Sequence, residues 1–298
     1  MAIVVIGTVA IDNVTTPYGR NKNAPGGSAT YFSLSASYFA GVKLVAVVGD
    51  DFPGKYLNLF RKKNIDTEGL EAMPGKSFRW EGAYDKDLDG ARTIATHLNL
   101  LNSFDPKIPN SYKNESVLFL ANIDPELQLS VLAQTKARLV AADTMNFWIK
   151  NKPKALLKVL KKLDMLFINE HEARQLTLEN NLLKAGRKII SLGAGRVIIK
   201  KGSNGSFFIS ENCSFSCPAF PMENVIDPTG AGDTFAGGVL GYLARENRFN
   251  DSAVKRSLAY GSVMASFAVE DYDVKSLGSQ DKTAISARYK FFIKSCSF

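Results

Sequence analysis

Val117-Leu118-Phe119-Leu120-Ala121 is an apolar run of strand length. Three more runs of the same kind follow it: Leu139-Val140-Ala141-Ala142, Met165-Leu166-Phe167-Ile168 and Val197-Ile198-Ile199-Lys200. None alternates apolar with polar, so each reads as a strand buried on both faces. Helical segments separate them, one over 128–135 and one over about 152–162. Strand–helix units of this length predict a mainly parallel sheet with right-handed crossovers. Such a sheet brings the C-terminal ends of its strands to one edge, and ligands bind beyond that edge. The residues just after these runs are polar: Asn122 and Asp124, Asp143 and Asn146, Asn169 and Glu172, Lys201 and Gly202.

The N-terminal third extends the pattern. Ala2-Ile3-Val4-Val5-Ile6 reads as a buried strand, and Gly7 to Asp12 follow its C-terminal end. Asp12 is therefore a candidate for binding substrate hydroxyls, with an Asx turn or helix cap as the plain alternative. Residues 15–25 are polar and turn-rich. Gly26-Gly27-Ser28-Ala29-Thr30 opens an amphipathic helix expected to reach Ala40, its small residues letting a substrate approach the backbone. Leu44 to Gly49 is a second buried strand, and a helix is expected over 54–63. Residues 76–100 break the rhythm. Ser77 to Tyr84 alternates, Asp85 to Gly90 is a turn, and Arg92 to Leu98 reads as a return strand. Phe78 and Trp80 share one face of that hairpin.

The chemistry concentrates in Asp227-Pro228-Thr229-Gly230-Ala231-Gly232-Asp233-Thr234-Phe235-Ala236-Gly237-Gly238. Pro228 stops any preceding helix. A small-residue loop then feeds a long apolar helix. The first N–H groups of such a helix lack intrahelical partners and carry positive partial charge, so an anion is favoured there. Asp233 falls in the first turn. A carboxylate suits that place on dipole grounds alone. Combined with a donor-rich pocket, it also supplies what phosphoryl transfer to a hydroxyl needs, namely donors for phosphate and a base for the attacking oxygen.

The run from Asp227 to Leu240 resembles, without a gap, the C-terminal signature of the ribokinase-like (PfkB) carbohydrate kinases. Gly26-Gly27 with the small residues after it is similar to that family's N-terminal signature, with Thr30 where the family has Asn. Asn169 and Glu172 resemble its Asn-x-x-Glu motif, and Lys200 to Gly205 its strand-end glycine turn. The resemblance implies an α/β, three-layer ribokinase-like fold: a mainly parallel central sheet flanked by helices, in one domain over 1–298. A small β-sheet lid would be formed by about 14–25 and 76–100. It implies transfer of the ATP γ-phosphoryl group to a hydroxymethyl group of a sugar or sugar derivative. Asp233 would be the base, and Gly230, Ala231 and Gly232 the anion hole. Asp12, Gly26, Gly27, Thr30 and Asn146 would hold the acceptor. Asn169, Lys200, Lys201, Gly202, Gly205 and Thr229 would hold the nucleotide. Glu172 would serve Mg²⁺ through water, and Asp227 a monovalent cation such as K⁺. A nucleoside is the alternative acceptor, since this fold also serves adenosine-like substrates and Phe78, Trp80, Phe147 and Trp148 offer rings to a base. A catalytically idle nucleotide-binding protein is the more distant alternative, against which the intact Asp233 argues. Lid sheets pair between subunits in some members of this family, which makes a homodimer through the lid one expectation.

Bulk properties fit this reading. With 298 residues, 45% hydrophobic and 22% charged, the chain suits one large α/β domain. No apolar run reaches membrane-spanning length and no signal peptide is evident. Cys213, Cys217 and Cys296 support neither a disulfide framework nor a metal site. A reduced, cytoplasmic setting is expected. The net charge of +8 is spread over helix faces without interleaved aromatics, so no nucleic-acid partner is expected, although such a surface would steer polyphosphates. Neither a P-loop nor a dinucleotide fingerprint occurs; Gly193-Ala194-Gly195 precedes a strand and opens no helix.

Overall fold

The computed structural model describes residues 1–88 and 90–296; Asp89, read above as part of the lid turn, lies outside them, as do residues 297 and 298. In chain order the elements are β1 (Ala2–Ile6), β2 (Ala10–Thr16), β3 (Gly19–Gly26), α1 (Ser28–Ala36), β4 (Gly41–Gly49), α2 (Gly54–Lys62), β5 (Ile65–Met73), β6 (Phe78–Ala83), β7 (Arg92–His97), β8 (Val117–Leu120), α3 (Pro125–Gln134), β9 (Leu139–Asp143), α4 (Asn146–Asn151) and α5 (Pro153–Leu160). Then come β10 (Met165–Asn169), α6 (Glu170–Thr177), α7 (Leu182–Ser191), β11 (Arg196–Lys200), β12 (Ser206–Ser210), β13 (Ser214–Cys217), α8 (Ala231–Glu246), α9 (Asp251–Ala268), α10 (Lys275–Ser279) and α11 (Lys282–Ser295).

Nine strands form the central sheet in the order β13-β12-β11-β10-β9-β8-β1-β4-β5. Every pairing from β11 to β5 is parallel; β12 and β13 add antiparallel strands at one edge. The apolar runs are continuous because both faces are covered. Ile3 and Val5 of β1, Val117 and Phe119 of β8, and Met165 and Phe167 of β10 point into one core, with α1, α8 and α9. Val4, Ile6, Leu118, Leu120, Leu166 and Ile168 point into the other, with α3, α5 and α7. This is the three-layer architecture expected from sequence.

The helix after Gly26-Gly27 is shorter than expected, ending at Ala36, and it is not amphipathic: Ser28 to Ala36 are all buried. It is wedged between the sheet and α8. A side chain at Gly237 would come within 2.5 Å of Phe32 O, and one at Gly238 within 2.9 Å of Tyr260 O on the other side. The small residues of α8 thus let α1 and α9 approach it closely.

A second sheet, ordered β3-β2-β6-β7, forms the lid. It starts earlier than the expected residue 14. Asp12 does not sit in a loop after β1 but inside β2, paired with Ala24 on β3 and Trp80 on β6. The stretch called turn-rich is the β2–β3 hairpin, whose pairing shifts between Asp12 and Val14. The β2–β6 pairing is parallel, the others antiparallel. β5, β12 and β13 also lie outside the sequence reading. β5 and β13 are the outermost strands of the large sheet, where one flank is unpaired and a polar sequence suffices, while β12 pairs with both β11 and β13.

Candidate active site

The C-terminal ends of β9, β10 and β11 and the N-terminus of α8 meet at one rim. Gly230 begins the turn with φ +73°, a left-handed backbone that suits glycine, and a Cβ there would lie 2.3 Å from the Tyr31 ring. The N–H of Ala231 bonds to Pro228 O at 3.2 Å, whereas those of Gly232 and Asp233 have no backbone acceptor among the described residues. The helix therefore presents two free donors at its positive end. Upstream, the Asp227 carboxylate accepts the Thr229 N–H at 2.9 Å, and the Thr229 hydroxyl donates to Tyr84 Oη at 3.3 Å. Tyr84 follows the last residue of β6, so the lid reaches the turn directly.

Lys200, the last residue of β11, turns inward. Its Nζ is 2.5 Å from Asp143 Oδ2 at the end of β9. A Cβ on Gly232 would lie 3.2 Å from the same nitrogen. Burial works against the Lys200 charge, but Asp143, Glu172 and Asp233 outweigh it and hold the ammonium above its ordinary pKa. Glu172 is fixed by a capping box. It accepts the Asn169 N–H at 2.9 Å, and its own N–H donates to Asn169 Oδ1 at 2.8 Å. Burial and the nearby Asp143 push its carboxyl up to about 7, against the pull of Lys200 and of N–H groups from Asn169 and Asn146. Asp233 is likewise raised to about 7, first by burial and then by Asp143, with Lys200 opposing. Three carboxylates thus share one ammonium, and the candidate base is poised near neutrality.

The lid supplies a different cluster. Asp12 is buried, and burial lifts its carboxyl to about 8, opposed by the Gly27 N–H and aided by repulsion from Asp227 and Asp233. A Cβ on Gly26 would lie 1.8 Å from Asp12 Oδ2, so the glycine leaves room for that carboxyl. Asp12 Oδ1, Thr30 Oγ1 and Asn21 Nδ2 are buried with no hydrogen-bond partner among the described residues. Unpartnered buried polar atoms are costly and uncommon in folded proteins. Hydroxyl and amide groups of a small polar ligand are the partners these atoms suit.

Other expected residues take quieter places. The Asn146 side chain is exposed at the start of α4, and its backbone N–H serves Glu172. Asn169 caps α6. Lys201 and Gly202 form the open turn after β11, with nothing near a Cβ at Gly202, whereas a Cβ on Gly205 would lie 2.1 Å from Cys217 O of β13. Three residues at the site escaped the sequence reading: Tyr31, Tyr84 and Asn21. The two tyrosines carried no local signal; they become site residues only once α1 and β6 are laid beside the turn. For Asn21 the signal was the mutual register of two polar strands.

Comparison with known proteins places the fold and the family. A family model described as pfkB family carbohydrate kinase matches residues 2–280. A cytidine kinase of Thermococcus kodakarensis is 32% identical over 252 residues, covering 82% of this chain and 88% of its own. A ribokinase of Dictyostelium discoideum is 27% identical, covering 83% and 84%. The fold superposes on the structure of Burkholderia thailandensis nucleoside kinase in complex with inosine with a TM-score of 0.80 at 18% identity, covering 97% of each chain. The protein is a phosphotransferase acting on a sugar or sugar derivative, and a member of the pfkB family of carbohydrate kinases.

Proposed function

We propose that the protein transfers the γ-phosphoryl group of ATP to the hydroxymethyl group of a nucleoside, with Asp233 as the base. The observation that carries the transfer is the pairing of Asp233 with two free N–H donors at the N-terminus of α8. Asp233 takes the proton from the hydroxymethyl oxygen. The Gly230-Ala231-Gly232 turn stabilises the charge on the transferring group. Asp12, Thr30, Gly26 and Gly27 receive the sugar. Lys201, Gly202, Thr229 and Asn169 line the nucleotide side, and Lys200 holds Asp143, Glu172 and Asp233 in one charged cluster.

Mg²⁺ belongs to this reading. Among the described residues no group of three His, Cys, Asp or Glu is placed to hold a metal directly. The excess negative charge of the cluster nevertheless suits a hydrated divalent cation arriving with the nucleotide, with Glu172 contacting it through water. Bound there, the ion neutralises charge on the phosphates. K⁺ at Asp227 would raise turnover over tetramethylammonium at equal ionic strength. A homodimer would form through the open edge of β7, where Ile94 is half exposed, and sedimentation reads it.

Two observations favour a nucleoside over a free sugar. The first is the cytidine kinase relative at 32% identity. The second is the lid face that carries Asp12. Trp80 lies in register with Asp12, its ring laid along Gly82, where a Cβ would come within 2.1 Å. Asn21 faces Val14, which in turn pairs with Gly82. An aromatic surface and a buried amide donor are what a base requires and a pentose does not. The test is ADP release with MgATP across cytidine, other nucleosides, ribose and hexoses. Faster turnover of ribose than of every nucleoside overturns the acceptor class and leaves the transfer intact.

A further inference from the structure

The loop after α9 is tied on three sides. Asp273 has φ +71°, a left-handed backbone that is uncommon outside glycine and that aspartate adopts more readily than most residues. Its buried carboxylate accepts the Val274 N–H and, at 3.4 Å, the Tyr56 hydroxyl of α2. One residue earlier, Tyr272 Oη shares a hydrogen bond with Thr16 Oγ1 at 2.7 Å. Thr16 is the buried last residue of β2, and its Oγ1 also accepts the Tyr18 N–H at 3.2 Å, so it pins the lid hairpin turn. At the other end of the loop, Val269 O accepts the N–H groups of Ile226, at 2.8 Å, and Asp227, at 3.4 Å. Those two residues lead straight into the Gly230 turn. Tyr31 lies between the two ends: its ring backs Gly230, and repulsion from Asp227, Asp12 and Asp273 adds to burial in raising its hydroxyl pKa.

We propose that Tyr272 is a positioning residue: through the loop 269–274 it couples the lid hairpin at Thr16 to the backbone of residues 226–230 that forms the anion hole. A lid that settles on the acceptor then tightens the turn that receives the phosphoryl group, and a lid that opens loosens it. The coupling is a chain of four short links, Thr16 to Tyr272, Tyr272 to Val269 along three half-buried residues of backbone, Val269 to Ile226, and Ile226 to Gly230. The inference rests on phosphoryl transfer at Asp233 but not on the acceptor class.

The test needs no acceptor. Amide hydrogen exchange is measured on the ligand-free full chain for the wild type, Thr16→Val, Tyr272→Phe and the double variant. Each single variant should speed exchange at Ile226 and Asp227 by about 3- to 10-fold, the scale of one lost hydrogen bond. At Ile226 and Asp227 the double variant should add nothing further, because both changes break the Thr16–Tyr272 link and the Tyr18 N–H bond also lost in Thr16→Val is confined to the hairpin. Thr16→Ser keeps the hydroxyl and should restore wild-type exchange. The β11 amides of Val197 to Ile199 report global opening and should not move. Faster exchange confined to the lid, additive effects in the double variant, or equal acceleration in β11 would each overturn the coupling. With MgATP and cytidine, kcat should fall with the same non-additivity while the KM for ATP stays unchanged; additive losses in kcat count against it.

Discussion

Two polar clusters face each other across the site, and they are built on opposite terms. On the sheet rim, Lys200 pairs with Asp143, Glu172 is held by its capping box, and Asp233 lies within reach of both charges. Lys200, Asp143 and Glu172 each have a partner there, although among the described residues the flanking Thr144 and Thr234 hydroxyls are buried without one. On the lid side, Asp12, Asn21 and Thr30 each bury a polar atom that has none. The rim comes from parallel strand ends that the core fixes rigidly. The lid cluster comes from a small sheet and the start of α1. The contrast indicates that the charge-handling half is preorganised, whereas the acceptor half is completed by the acceptor. Substrate binding energy would then be realised mainly on the lid.

The largest effect should come from the rim. Asp233→Asn should lower kcat by about 10²–10⁴, the scale of a lost general base, with little change in ATP affinity. Turnover close to wild type in that variant would mean that Asp233 is only a charge at a helix N-terminus. Lys200→Met sharpens the same half. Lys200 lowers the Asp233 pKa, so removing it must raise that pKa. Wild-type kcat/KM should climb with pH through about 7, where Asp233 loses its proton. The variant's climb should begin at higher pH, with a loss of about 10–100-fold at neutral pH. An unshifted profile would uncouple the lysine from the base.

Asp12→Asn addresses the lid half, and it separates binding from stability. The acceptor KM should rise by about 10-fold or more while the KM for ATP holds, as expected for a charge-assisted bond to substrate worth about 1.5–3 kcal/mol. Stability should move the other way. The folded pKa of Asp12, about 8, lies above the ordinary 3.8. Its contribution is therefore fully present below about pH 4 and is lost as pH rises towards 8. The ligand-free variant should thus melt higher than wild type near pH 8, with the difference shrinking towards pH 4. A lower Tm at pH 8 would show that Asp12 holds the lid together rather than awaiting a ligand.

The same contrast explains what could be read from sequence. The parallel sheet was legible because Val117 to Leu120 and Met165 to Ile168 are buried on both faces, which leaves continuous apolar runs. The rim was legible because parallel strands force their ends to one edge, so Asp143, Asn169 and the Lys201 turn had to converge. The inward turn of Lys200 was not legible: lysine at a strand end looks the same whether it faces phosphate, water or Asp143. The lid was harder still. β2 and β3 carry Asp12, Asn13, Thr15, Thr16, Asn21 and Asn23, a composition that reads as loop, because their cross-strand partners and a bulge supply the order that the local sequence lacks. Tyr31 and Tyr84 enter the site only through tertiary packing.

The smallest expected effect is the sharpest test of the division between the two halves. Asn21→Ala removes a buried amide that has no partner within the protein, so folding should lose little; deleting an unsatisfied donor can even stabilise. If Asn21 reads a base, the variant should lose about 3- to 10-fold in kcat/KM with cytidine, the scale of one neutral hydrogen bond. Ribose, which presents no base, should be unaffected. The loss should appear in KM, since a contact to an unreacting part of the substrate that is the same in ground and transition states leaves kcat unchanged. Equal losses with cytidine and ribose would move Asn21 to the sugar, beside Asp12 and Thr30. A loss in kcat alone would transfer it from recognition to lid closure, and the lid would then belong with the preorganised half after all.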